Sequence, residues 1–268
     1  MKKSVKIKIL HILSWTMLAA FLAVTMGFVK GNRDNVTCTS ILVNISSENQ
    51  FIDETEVKTI LEKDGLFIPG ILYDSLHLNE IENTLLKHNQ VKSVETFVTL
   101  DGRLIISITQ RKPILRIFNE AGNSYYIDED GRLMFTSPSY TPRVLVANGN
   151  IMESYKPYYS CIPESNDFSD IKKMQLYELY LLAEKIEKDS FMYALTDQIH
   201  VTQRGEIEII PKISDWNIIL GDISDLDNKF ANLRTFLNYI PYPDGWEKYN
   251  TIKLQFKNQI VCTKKVNI

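Results

Sequence analysis

Apolar and polar positions divide this chain into one long apolar run followed by alternating and helix-spaced stretches. From Ile9 to Val29 the sequence ILHILSWTMLAAFLAVTMGFV holds no Asp, Glu, Lys or Arg. At about 1.5 Å per helical residue it crosses roughly 30 Å of hydrocarbon, which predicts a transmembrane helix. A cleaved signal peptide is the rival reading, because Lys2, Lys3, Lys6 and Lys8 form a basic start and Ala19-Ala20 lies within the run. A signal's apolar core spans about 7–15 residues before a small-x-small cleavage site, and this run is longer and has no such site at its far end. The same lysines hold the N-terminus in the cytoplasm by the positive-inside rule, so the chain beyond Lys30 is expected outside it. His11 and Trp15 then fall in the cytoplasmic half of the span, where a lone His near the interface is tolerated.

Beyond a polar tether, KGNRDNV at 30–36, Ile41, Val43 and Ile45 share one face of a strand predicted over Thr39–Ile45. Asp53 with Glu56 gives a D-x-x-E cap before a helix carrying Val57, Ile60 and Leu61, which ends near Asp64-Gly65. Leu78, Ile81 and Leu85 recur at helical spacing up to His88. Val91–Leu100 and Arg103–Gln110 follow as strands joined by Asp101-Gly102, a two-residue hairpin signal. Two helices must therefore cover one face of a three-stranded sheet in an α+β module.

Pro113 breaks the pattern, and short strands over Ile114–Phe118, Ser124–Ile127, Leu133–Phe135 and Arg143–Val146 suggest a meander separated by Gly and Pro turns. A helix over about Asp170–Lys188 has Ile171, Met174, Tyr177 and Leu181 on one side. Strands at Gln198–Thr202, Ile207–Pro211 and Trp216–Leu220 precede a helix whose apolar positions Leu226, Phe230, Leu233, Leu237 and Ile240 end at Pro241-Tyr242-Pro243. Thr251–Phe256 and Gln259–Thr263 are the expected last strands.

Net charge is −3 with both signs interspersed, so the concentrated basic face of a nucleic-acid binder is missing. The three cysteines, Cys38, Cys161 and Cys262, are odd in number and far apart, so inert thiols are the default, with one pair possible. No G-x-S-x-G elbow, H-E-x-x-H helix or glycine-rich phosphate loop occurs, and His77, His88 and His200 are isolated. Asp128-Glu129-Asp130-Gly131 lacks EF-hand spacing and suits a solvated turn. These absences favour a non-enzymatic chain with no cofactor, metal or small-molecule substrate.

The order of elements resembles the FtsQ/DivIB family of bacterial division proteins. The most specific stretches are Gln110-Arg111-Lys112-Pro113-Ile114, then Tyr125 through Asp128-Glu129-Asp130-Gly131 to Phe135, and Thr141-Pro142-Arg143-Val144. Trp216 through Gly221, followed by a helix with Lys229 and Leu233, extends the resemblance from about Ile9 to Cys262. Gln255 and Phe256 depart from the family's basic residue and Tyr, and Glu153–Phe168, with Tyr155, Tyr158 and Tyr159, has no counterpart there, so it is either a surface loop or a binding element. The resemblance implies a cytoplasmic tail at 1–8, a transmembrane helix at 9–29, a linker at 30–37, a β-α-α-β-β POTRA domain at 38–112, and a mixed or antiparallel β domain with covering helices at 113–268.

It further implies a single-pass inner-membrane protein at the division septum, its bulk periplasmic, whose β domain docks coiled-coil partners of the FtsB and FtsL type by strand addition. The partner-binding residues expected on the last strand and its approach are Phe256, Gln259, Ile260, Val261 and Cys262, with Lys185 and Lys188 available to an acidic partner. The edge at Ile41–Ile45 is the candidate contact of the first domain with other division proteins. An anchored POTRA protein of an export or outer-membrane assembly system is the alternative; tandem POTRA copies would favour it, and one is seen.

Overall fold

The computed structural model describes residues 13–25, 37–46, 49–72, 75–163, 171–240, 245–257 and 259–265, with the backbone alone for 171–173. Residues 13–25 lie in a helix, α1, whose side chains are exposed almost throughout. Among the described residues no helix is long and apolar enough to cross a membrane. The expected span over 9–29 extends past α1 at both ends, and its flanks, the tail 1–8 and nearly all of the linker 30–37 lie outside the described residues. The rest divides into two compact units, Met1–Ser46 with Ile52–Gln110, and Ser47–Phe51 with Arg111–Ile268.

The first unit runs β1 (Thr37–Cys38), β2 (Ser40–Ser46), α2 (Glu54–Lys63), β3 (Ile71–Leu72), α3 (Leu78–Leu86), β4 (Val91–Val98) and β5 (Arg103–Gln110). Its sheet has the order β2-β5-β4, with β2 parallel and β4 antiparallel to β5, while β1 and β3 form a separate two-stranded ribbon. Val57 and Leu61 of α2 and Ile81 and Leu85 of α3 pack with Leu104, Ile106 and Ile108, so both helices cover one sheet face. Asp53 caps α2 by accepting the Glu56 N–H at 2.8 Å. Asp53→Ala is expected to cost about 1 kcal/mol, read as a lower urea midpoint with unchanged slope.

The turn between β4 and β5 is longer than the two residues expected. Gly102 N–H bonds the Thr99 carbonyl at 3.0 Å, Thr99 N–H bonds the Arg103 carbonyl at 2.9 Å, and Gly102 has φ +77°. This is a turn over Thr99–Gly102 closed by a left-handed glycine, which takes the strand pair into a bulge and leaves Leu100 at the tip.

The second unit adds β6 (Pro113–Phe118), β7 (Ser124–Asp128), β8 (Leu133–Phe135), β9 (Leu145–Gly149), α4 (Ile171–Lys188), α5 (Ser190–Leu195), β10 (Thr196–Val201), β11 (Ile207–Pro211), β12 (Asn217–Gly221), α6 (Leu226–Tyr239), β13 (Tyr249–Lys253) and β14 (Val261–Lys264). Among the described residues its mixed sheet has nine strands in the order β14-β13-β12-β11-β10-β9-β6-β7-β8. The meander holds only for β6, β7 and β8; β9 pairs parallel to both β6 and β10. The cause is that the far side of β8 is already occupied: Leu133 N–H bonds the Tyr159 carbonyl at 2.9 Å and Cys161 N–H bonds the Gly131 carbonyl at 2.8 Å. The chain therefore returns to the open side of β6, and β9 ends at Gly149, where φ is +100° and a Cβ would lie 2.2 Å from the Val201 carbonyl oxygen.

Helix α4 turns a different face to the sheet from the one expected. Leu176, Leu179, Tyr180, Leu182, Ala183 and Ile186 are buried, while Tyr177 and Leu181 are half-buried and Met174 is exposed. The helix carries two overlapping apolar stripes, and the one with the small Ala183 allows the closer approach. Helix α5 was not expected from the sequence; Asp189 caps it by accepting the N–H groups of Phe191 and Met192 at 3.0 and 3.1 Å.

Candidate partner-docking edge

A sheet edge exposes one row of unpaired backbone N–H and C=O groups, so the two ends of the nine-stranded sheet are the first places to look for a docking strand. At one end β8 is covered by Tyr159, Ser160 and Cys161, with Arg132 and Ser160 forming an antiparallel bridge. The covering segment is itself held down: Tyr125 Oη donates to the Glu153 carbonyl at 2.8 Å, Cys161 is fully buried, and Tyr155 and Tyr159 pack against the core. Burial, with Glu153 second, raises the Tyr125 phenol above its ordinary range. The described part of the Glu153–Phe168 stretch thus includes an edge cover, and 164–168 lie outside the described residues.

At the other end, among the described residues, β14 pairs on one side only, with β13, in the register Thr251↔Thr263, Ile252↔Cys262 and Lys253↔Val261. Lys265 N–H donates to the Lys248 carbonyl at 2.9 Å. Because inward and outward groups alternate along a strand, Thr263 and Val261 share that inward direction, and Cys262 and Lys264 present their N–H and C=O outward. Val261, Thr263 and Lys264 have exposed side chains, while Cys262 is half-buried against the core and burial raises its thiol pKa.

The expected site residues separate on this frame. Val261 and Cys262 lie on β14, as expected, but Phe256, Gln259 and Ile260 lie in the connection from β13, because β13 stops at Lys253 and β14 starts at Val261. Phe256 and Gln259 are exposed, and Ile260 is half-buried and packs on the core. Phe256 borders a cleft of about 250 Å³ with Asn228, Asn232, Gln255 and Lys257. Lys185 and Lys188 are on α4, which packs on β6, six strands from β14 in the sheet order. Lys185 pairs with Asp227 at 2.5 Å and Lys188 with Glu184 at 2.6 Å, so each already has an acidic partner within the fold.

Two ionic arrangements, one with a buried lysine and the other with a buried carboxylate, neither foreseen as such, hold this unit. Lys229 of α6 reaches back under the end of β12, its Nζ donating to the Leu220 carbonyl at 3.1 Å, the Asp222 carbonyl at 2.9 Å and Asp222 Oδ1 at 2.8 Å. Those bonds hold the carboxyl of Asp222 below its ordinary range, with Ser224 assisting. Gly221, with φ +78°, sits where a Cβ would come within 3.0 Å of Gln255 Cβ, so the turn and the approach to β14 are packed together.

The second arrangement corrects the reading of the acidic cluster as a solvated turn. Glu129 and Asp130 are exposed, but Asp128 is 0% exposed and pairs with Arg111 Nη1 at 2.8 Å. Asp128 Oδ1 also accepts the N–H groups of Asp130 and Arg132 at 3.0 and 2.7 Å. Burial raises its carboxyl above the ordinary range, opposed by the Arg132 N–H and then by the Arg111 guanidinium.

No disulfide joins the three cysteines, and Cys38 and Cys161 are fully buried. Among the described residues no cluster of three or more His, Cys, Asp or Glu could hold a metal ion. His200 Nδ1 contacts Asn148 Oδ1 at 2.8 Å across β9 and β10, and His88 Nδ1 contacts Gln90 Oε1 at 3.1 Å two residues on. A groove of the second unit, about 790 Å³, is lined by the Lys112–Glu187 ion pair, Tyr140, Arg143 and Tyr193. Among the described residues its lining has no His or Cys.

Comparison with known protein families matches residues 36–109 to a POTRA-like domain. The chain is therefore of the class in which a small non-catalytic scaffold module precedes a second folded unit. Residues 112–263, more than half of the chain, match the family FtsQ/DivIB, C-terminal related, and the chain belongs to that family. Comparison with curated proteins gives no match. Membership associates the chain with cell division as a scaffold, with division proteins as the general class of partner.

Proposed function

We propose that this chain is a non-enzymatic scaffold of the division septum. It is anchored in the inner membrane by one span over 9–29, with the tail 1–8 cytoplasmic, a POTRA domain over 38–112 and a β domain over 113–268 in the periplasm. In this reading the β domain docks coiled-coil membrane partners of the FtsB and FtsL type by adding a partner strand to the outer edge of β14. The observation that carries it is the contrast between the two sheet ends: among the described residues, β8 is covered by its own chain and β14 is paired on one side only. Each backbone bond to an added strand contributes about 0.5–1.5 kcal/mol net, and alternate side chains set specificity.

Val261, Thr263 and Phe256 are the side chains a partner strand meets first, with Gln259 beside them, while Ile260 and Cys262 support the strand from the core. The outer edge of β2, over Ile41–Ile45, is the corresponding site on the first unit, for other division proteins close to the bilayer; among the described residues β2 also pairs on one side only in its sheet.

The test is co-purification of the full-length chain with co-expressed FtsB- and FtsL-type partners, comparing wild type with Lys264→Pro. Proline there removes one outward N–H and leaves the Lys265 bond to β13 in place, as an edge position tolerates. Capture is expected to fall at least about tenfold, equivalent to about 1.4 kcal/mol. Undiminished capture by the folded variant sinks strand addition at β14. Absence of capture by the wild type sinks the division-partner reading and raises the export alternative.

A further inference from the structure

One end of the first unit carries large apolar side chains that its fold leaves in solvent. Leu100, at the tip between β4 and β5, is 99% exposed, and Phe97, Ile68, Leu72 and Leu42 are 51%, 62%, 48% and 43% exposed. Backbone bonds bring them to one place. Thr39 N–H donates to the Gly102 carbonyl at 3.1 Å, which ties the start of β2 to the hairpin tip. Gly70 N–H donates to the Cys38 carbonyl at 2.7 Å, and Leu72 pairs with Thr37, which ties the 68–72 segment to β1. Leu42, Ile105 and Phe97 stand in one cross-strand row on the sheet face that the helices do not cover. The segments that carry them read Ile68-Pro-Gly-Ile-Leu72 and Phe97-Val-Thr-Leu-Asp-Gly102, and their single charge, Asp101, is paired with Arg103 at 2.7 Å.

We infer that this end of the unit is a lipid-binding surface: the tip of the β4–β5 hairpin and the 68–72 segment insert among the headgroups and upper acyl chains of the bilayer. The inference rests on the reading of 9–29 as a membrane span. Two features of the chain select lipid over a protein occupant. The exposed cluster surrounds Thr37, where the chain enters the domain, so the tether from the span arrives at this end. That tether, Lys30–Val36, reaches at most roughly 25 Å when fully extended, and the headgroup layer it must clear is about 5–7 Å thick. A neutral apolar cluster on the tethered end is thus kept within reach of the bilayer surface, and apolar patches of this kind mark contact surfaces.

The full-length chain is reconstituted in vesicles of phosphatidylethanolamine and phosphatidylglycerol at about 3:1, with a trace of phosphatidylcholine carrying a diazirine near the glycerol end of one acyl chain. Peptides labelled on illumination are then mapped. Label is expected on the segment containing α1, on 68–72 and on 97–102, with at least about fivefold less on 97–102 in Leu100→Asp, a change that a side chain already in solvent tolerates without unfolding. Label on α1 with no more on 97–102 than on the peptide holding the exposed Tyr239 overturns the inference and leaves the span intact. Absence of label on α1 overturns the span itself, and the inference with it.

Discussion

Replacing Arg111 with alanine is expected to lower the stability of the second unit by about 3–5 kcal/mol at neutral pH, because it leaves a fully buried carboxylate without its cation. Asp128 has no route to water, and its two backbone donors, from Asp130 and Arg132, compensate only part of its charge. Urea unfolding followed by the fluorescence of the buried Trp216 measures the loss. The pH dependence is specific. Burial already raises the Asp128 carboxyl in the wild type, and loss of Arg111 raises it further. A carboxyl whose folded value lies above its unfolded one weakens the fold when ionised; that penalty is complete above the folded value and absent below the unfolded one. The deficit of Arg111→Ala must therefore shrink as pH falls, beginning above the ordinary carboxylate range. Arg111→Met combined with Asp128→Asn keeps an oxygen for the backbone donors and removes both charges, and should recover most of the stability. A deficit under about 1 kcal/mol, or one unchanged in acid, contradicts this account of the pair.

That pair also shows what a sequence carries and what it hides. Gln110-Arg111-Lys112-Pro113 and Asp128-Glu129-Asp130-Gly131 were both visible as patterns, yet nothing in one-dimensional spacing says that Arg111 and Asp128 meet across β6 and β7, whose register runs Pro113↔Asp128. The elements themselves were largely legible, because alternation and helical spacing report burial directly: Val43, Val57, Leu61, Ile81 and Leu85 are all core. The pairing order of the long sheet was not. Leu145 and Ala147 are apolar enough for any central strand, and only the cover over β8 by Tyr159 and Cys161 sends β9 to β6. At the β14 edge the final strand and its position at the sheet end were legible. Its start was misplaced because Gln259 and Ile260 continue the strand-like pattern although the pairing with β13 begins at Val261.

Lys229→Ala is expected to cost about 2–4 kcal/mol and to loosen β14, although Lys229 is far from that strand in sequence. Its Nζ satisfies the buried carbonyl oxygen of Leu220 and the partly buried one of Asp222, in a site where the lysine is 9% exposed; a buried acceptor left unpaired costs about 1–3 kcal/mol, and the lost packing of the lysine stem adds to it. Lys229→Met restores the packing of the stem without the donors and should recover a part. The acid response differs from that of Arg111→Ala. Asp222 is lowered by Lys229, so its contribution is present above the unfolded carboxylate value and lost only as pH falls through the lower folded one. The carboxylate is largely solvated, so this share is small and the deficit should stay nearly constant down to the ordinary carboxylate range. The turn that Lys229 holds abuts Gln255, the residue that leads into the connection to β14. Hydrogen exchange of the full-length variant should therefore show faster exchange in β13 and β14 with little change in β6 and β7, since local opening follows local contacts. Uniform acceleration through the whole sheet would mean that Lys229 supports global stability alone, and that the β14 edge is held in place by something else.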